Sequence, residues 1–148
     1  MEQNLDKINW SILSCNINAI PLLEQNLDKI DWVGLSRNIN AIPLLEQNLD
    51  KIDWNVLSSN EAAIPILTKH QDKINWDNLS HNEKAISLLE QNQDKINWNS
   101  LSMNANAMSL LRRHMDRTMS LLRRNMERIG YGIWCNRKKY FLLQNNLE

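Results

Sequence analysis

Apolar and polar positions recur along this chain with one spacing: Leu-Asp-Lys-Ile-Asp-Trp, a leucine three residues on, Ser-x-Asn, then Ala-Ile-x-Leu-Leu-Glu-Gln. Trp10, Trp32, Trp54, Trp76 and Trp98 mark the pattern, each 22 residues from the last. Copies run 5–26, 27–48, 49–70, 71–92 and 93–114, and Met1 to Asn4 match the end of a further copy. A fixed period of this length is one supersecondary unit repeated, each copy burying its apolar face against its neighbours. The pattern predicts an all-α chain: an α-solenoid of about five 22-residue helix pairs in a right-handed stack, followed by a basic helical segment.

Within a copy the chemistry divides into two short helices. Asn9, Asp31, Asp53, Asn75 and Asn97 precede the tryptophans and are residues whose side chains accept from the free N–H groups of a first turn. The asparagines of Ser-x-Asn (Asn16, Asn38, Asn60, Asn82 and Asn104) are expected to stop the first helix and cap the second. Pro21, Pro43 and Pro65 remove an N–H and disfavour helix just before them, which places the regular start of the second helix at the proline. Asn26, Asn48 and Asn92 suit a left-handed C′ position. In the second copy these faces put Leu27, Ile30, Trp32, Leu35, Ala41, Ile42, Leu44 and Leu45 in the core. The row of buried tryptophans is the expected spine, since each ring carries a large apolar area.

Past the fifth copy the period halves. Ser-Leu-Leu-Arg-Arg-His-Met-Asp-Arg at 109–117 returns at 120–128 as Ser-Leu-Leu-Arg-Arg-Asn-Met-Glu-Arg. Eleven residues is close to three helical turns, so the halves superpose on one face. Met108, Leu111, Met115, Met119, Leu122, Met126 and Ile129 form an apolar stripe with arginines beside it. Gly130-Tyr131-Gly132 is expected to end this helix, and 133–146 to make a final short one. The domain reading is a repeat array over 1–111 and a basic helical tail over 112–148.

Composition sharpens this in two places. Glycine and proline number only three each among 148 residues, which suits helices. The formal net charge of zero hides an asymmetry: residues 1–111 carry eight Lys/Arg against fourteen Asp/Glu, while residues 112–148 carry nine against three. The array is acidic and the tail basic. No apolar run approaches the roughly 20 residues that span a bilayer, and the first residues do not read as a secretory signal, so no transmembrane segment and an intracellular setting are expected. Cys15 and Cys135, far apart and without CxxC spacing, read as reduced thiols.

The unit Leu-Asp-Lys-Ile-Asp-Trp-x-x-Leu-Ser-x-Asn-x-x-Ala-Ile-x-Leu-Leu-Glu-Gln-Asn resembles short repeats found in many copies in proteins of giant DNA viruses of the mimivirus kind. The likeness covers 1–111 closely and the tail poorly. Where that pattern often has Pro after Leu-Ser-x-Asn, this chain has Ile17, Ile39, Glu61, Glu83 or Ala105. The resemblance implies a viral helical-repeat protein, in host cytoplasm or virion, and brings no activity with it.

Motifs of catalysis are missing: no phosphate loop, HExxH, GxSxG or EF-hand pattern occurs, so no enzyme, cofactor or metal site is expected. His70, His81 and His114 lie in different copies. Asp6, Asp28, Asp50, Asp72 and Asp94 repeat, but one copy apart is about 10 Å, too far for a carboxylate dyad. Two binding surfaces remain. The residue between Ser and Asn differs in every copy, as Cys15, Arg37, Ser59, His81 and Met103, and so do Ser11, Val33, Asn55, Asp77 and Asn99 nearby. A varying column over a fixed core suits a protein partner, and equally suits drift at exposed positions. The alternative surface is the tail, where Arg112, Arg113, Arg117, Arg123, Arg124, Arg128, Lys138 and Lys139 suit nucleic acid or an anionic membrane. Self-association is also expected, through the front face at Leu5, Ile8 and Trp10 and the opposite charges of array and tail.

Overall fold

The computed structural model describes residues 5–144, with side chains described over 5–127. Among these residues the structure is helical and contains no strand. The chain divides into two compact units, Met1–Met108 and Ser109–Glu148, a boundary three residues before the one expected after 111.

In the first unit each of the first four copies is a short 3-10 turn, a helix, a tight corner and a second helix, while the fifth opens on a plain turn and contributes one helix. The helices are α1 (Trp10–Cys15), α2 (Ile20–Glu24), α3 (Trp32–Arg37), α4 (Ile42–Glu46), α5 (Trp54–Ser58), α6 (Ile64–Lys69), α7 (Trp76–His81), α8 (Ile86–Gln91) and α9 (Trp98–Leu101). Tertiary packing is what holds elements this short, because an isolated helix of one or two turns does not persist in water. First helices pack on first helices, α1 on α3, α3 on α5, α5 on α7 and α7 on α9. Their N-termini are capped as the sequence predicts: Asp31 accepts from the N–H of Val33 and Gly34, and Asn9, Asp53, Asn75 and Asn97 do the same in their copies.

Three local expectations are corrected. The second helices start one residue before the proline, on an alanine (Ala19, Ala41, Ala63) without a side-chain cap, and proline fits there because the first N–H groups of a helix have no internal acceptor. Asn26, Asn48 and Asn92 are not left-handed, with φ of −138°, −135° and −130°. Each instead donates its Nδ2 back to the carbonyl four residues earlier, on Leu22, Leu44 or Leu88, satisfying a last-turn acceptor from the side chain. The five repeat tryptophans, expected to be buried, are half-buried.

From the second copy on, the deepest apolar positions are the leucine three residues after the tryptophan, the alanine before the second helix and the paired aliphatic residues within it; Leu13 and Leu22 in the first copy are half-buried. Leu35, Leu57, Leu79 and Leu101 are fully buried, as are Leu23, Leu45, Leu67 and Leu89. In the second copy Ile30, Leu35, Ala41, Leu44 and Leu45 are core as expected, Trp32 and Ile42 are half-buried, and Leu27 is exposed. The rings lie over the edge of the core, with Lys51 5.0 Å from the Trp32 ring, Lys95 4.8 Å from that of Trp76, and His70 5.4 Å from that of Trp54.

Beside this core runs a buried polar ladder. The hydroxyls of Ser14, Ser36, Ser58 and Ser80 donate to the carbonyl of the preceding tryptophan at 2.7–2.8 Å. Each also accepts the backbone N–H of the next copy's cap residue, at Asp31, Asp53, Asn75 and Asn97. The Ser-x-Asn asparagines reach the other way. Asn60 Nδ2 donates to the carbonyls of Ser36 (3.0 Å) and Asn38 (3.3 Å) in the preceding copy, while its Oδ1 accepts from Ala62 N–H. Asn38, Asn82 and Asn104 repeat the arrangement. These asparagines close the first helix, as expected, and Oδ1 of each accepts the N–H two residues on, which at Asn60 caps the 3-10 turn leading into α6; their Nδ2 groups also join successive copies, a part that was not expected.

The second unit is built on α10 (Met108–Gln144), 37 residues long. It runs on where α2, α4, α6 and α8 stop, because Thr118 and Ser120 occupy the slots filled by the buried Ile30 and the half-buried Trp32 in the second copy. With nothing to fold inward, the good helix formers Arg, Met and Leu continue the helix. Gly130 and Gly132, expected to end it, lie within it, and no separate helix follows over 133–144.

Candidate interaction surface

The ladder fixes the backbone on both sides of Arg37, Ser59 and His81, and on one side of Cys15 and Met103, through Ser14 and Asn104. Ser36 and Asn38 point inward and are buried, so Arg37 between them points out, and the same alternation exposes Ser59 and His81. Cys15 and Met103 are exposed as well, Met103 at 79%. Arg37 and Ser59 come together: with Val56, Asn60 and Asn78 they line a shallow cleft of about 300 Å³ that spans three copies. Its wall is mixed, with an apolar valine, a guanidinium and an amide. His81 lies on the same column, its Nδ1 3.1 Å from the Asp77 carbonyl oxygen.

The residues that follow the tryptophans have another part. Ser11 donates to Asp31 Oδ2 at 2.5 Å. Asn55 Oδ1 accepts from Asn75, its carbonyl accepts from Asn78, and Asp77 accepts from Asn97. At these junctions the variation pairs one copy with the next. The Ser11 hydroxyl, with the N–H groups of Gly34 and Val33 and the charge of Arg37, holds the Asp31 carboxyl below its ordinary value against the opposing effect of burial. Gly34 sits at a close approach: a Cβ there would lie 3.1 Å from Cys15 Sγ and 3.2 Å from the Ser11 carbonyl oxygen, so a larger residue asks these neighbours to give by a few tenths of an ångström.

On α10 the guanidinium-bearing residues Arg112, Arg113, Arg117, Arg123 and Arg124 are all exposed. Arg128, Lys138 and Lys139 lie outside the residues whose side chains are described. Among the described residues no three His, Cys, Asp or Glu side chains gather as a metal site would require, and no helix is long and apolar enough to cross a membrane. Asp28 and Asp72 are exposed, beside Lys29 and Lys73 at 3.5 and 3.9 Å.

No family model matches this chain, and comparison with curated proteins and with solved structures returns no match.

The cleft itself was not legible in the sequence. Arg37, Ser59 and Asn78 come from three copies, and only the stacking of α3, α5 and α7 brings them together. The signal that existed was the shared slot of Arg37 and Ser59 in the repeat, beside two positions that do not vary; Asn78 comes from another slot, that of Gly34 and Val56.

Proposed function

We propose that the repeats form an α-solenoid that acts as a non-enzymatic scaffold for a protein partner, which it engages through the column Cys15, Arg37, Ser59, His81 and Met103. The observation that carries this reading is the exposure of five different side chains in one frame, three of them (Arg37, Ser59 and His81) set between a buried serine and a buried asparagine that bond to neighbouring copies. A rigid backbone lowers the ordering cost of binding, and side chains that differ from copy to copy give each segment of a partner a different contact. The giant-virus likeness supports a viral setting for such a scaffold.

The test places a photo-crosslinking residue at Ser59 or at Leu27, which is also exposed but outside the column. A discrete adduct from Ser59 and none from Leu27, lost in Arg37→Asp with thermal unfolding unchanged, is the expected result. Equal labelling from both positions would leave the column as drifted surface. Exposed arginines on α10 favour a second reading, an anion-binding helix. Affinity for duplex DNA would then fall with log salt at a slope set by the number of phosphates contacted.

A further inference from the structure

The apolar face of α10 is open and patterned. Met108, Met115, Met119, Leu122 and Met126 are 74%, 62%, 62%, 56% and 71% exposed. They follow one another at seven, four, three and four residues, and the eleven-residue repeat keeps this stripe nearly straight along the helix. Helical geometry sets a charged row along one edge of it, Arg112, Asp116, Arg123 and Glu127, all exposed. The other edge carries Thr118 and Asn125, without charge. Arg113, Arg117 and Arg124 fall on the far side.

We propose that α10 pairs with α10 of a second copy of this chain, antiparallel and about a two-fold axis near Met119 and Ser120. The order of the charged row points to this occupant. Turned end for end, the row reads negative where it read positive, so Arg112 meets Glu127 of the second copy and Arg123 meets Asp116. The register that pairs these charges also sets Met115 on Met126 and Met119 on Leu122 of the second copy. Such a surface is self-complementary, as an isologous dimer requires. Parallel pairing sets the charged row against the uncharged edge and gains no ion pair. Nucleic acid accounts for the arginines and leaves the methionines unexplained. An anionic lipid surface accounts for both, but it would place Asp116 and Glu127 against like charge at the rim of the inserted face. The inference uses α10 alone and is independent of the column.

Mass in solution tests it, measured for the whole chain over a wide concentration range by sedimentation equilibrium. The expected result is a monomer–dimer equilibrium. Met119→Glu with Leu122→Glu should raise the dissociation constant at least about tenfold with helicity by circular dichroism unchanged, since two desolvated contacts per copy exceed the 1.4 kcal/mol that a factor of ten represents. Arg112→Glu with Arg123→Glu, and separately Asp116→Arg with Glu127→Arg, should each weaken the dimer, and an equimolar mixture of the two variants should restore it. A monomer at every concentration, or a dimer indifferent to the Met119 and Leu122 changes, overturns the pairing. A dimer lost with the apolar changes but not rescued by mixing overturns the antiparallel register. A monomer that binds phosphatidylserine vesicles through the same methionines overturns it in favour of a lipid surface.

Discussion

At the scale of single residues, amides hidden among aliphatic side chains join one copy to the next. Asn60 makes three hydrogen bonds from a nearly buried position, two of them to carbonyls of the preceding copy. Asn60→Ala should therefore cost about 2–3 kcal/mol in chemical denaturation, the range for leaving buried polar groups unpaired. Asn16 is exposed and accepts from Asn18 N–H. Its replacement by alanine should cost about 1 kcal/mol or less, as for an exposed local bond, and equal costs at the two positions would mean that the ladder contributes nothing beyond a turn. Asp31 gives a pH signature. Its folded-state carboxyl lies below the ordinary 3.8, so its contribution is complete above that value and is lost as pH falls through the folded one. The stability advantage of the native chain over Asp31→Asn should shrink as pH is lowered through the carboxylate range. An advantage that holds steady or grows on acidification would contradict the assignment.

Among the elements, the exchange of roles between tryptophan and leucine reorders the expected energetics. Read one copy at a time, the largest apolar side chain is the natural centre, which would put Trp54→Ala at about 3–5 kcal/mol. Yet α5 buries Leu57 completely and leaves Trp54 half-buried against His70. Leu57→Ala should be the more damaging change, at about 3–5 kcal/mol, with Trp54→Ala nearer 2 kcal/mol because part of the ring already meets water. Urea midpoints of the two variants decide the order. The period, the first-helix caps and Leu35 or Leu45 as core were legible because each follows from spacing within one copy. The burial of Ser36 and Asn38 was not, since these residues serve equally well in exposed turns and their partners lie 17 to 24 residues away. The continuation of α10 through Gly130 and Gly132 was missed for a related reason. A glycine costs a helix only about 1 kcal/mol, which favourable flanking residues offset.

For the molecule as a whole, the ladder sets a rule about length. Its bonds run from each copy to an adjacent one, Ser14 to Asp31, Ser36 to Asp53, Ser58 to Asn75 and Ser80 to Asn97, always across 17 residues. Excising residues 49–70 joins Asn48 to Gln71 and brings Asn75 to the slot that Asp53 held, 17 residues after Ser36. Asn82 likewise takes the place of Asn60, beneath the carbonyls of Ser36 and Asn38. Each donor of the serine and asparagine ladder regains an acceptor, although the bond from Asn75 Nδ2 to Asn55 Oδ1 is lost because Val33 takes the slot of Asn55, and α3 and α7 become neighbours in place of the pairs they made with α5. The shortened chain should thus remain helical and unfold cooperatively, with lower stability because one copy and one junction are gone. Excising 49–59 removes eleven residues, half the period, and leaves Ser36 with no cap residue at the required distance. Circular dichroism and thermal unfolding of the two deletions should separate them clearly: near-native helicity per residue for the first, and loss of cooperative unfolding for the second. Equal behaviour would mean that the copies are held by apolar contact alone, with the buried serines and asparagines incidental to the register.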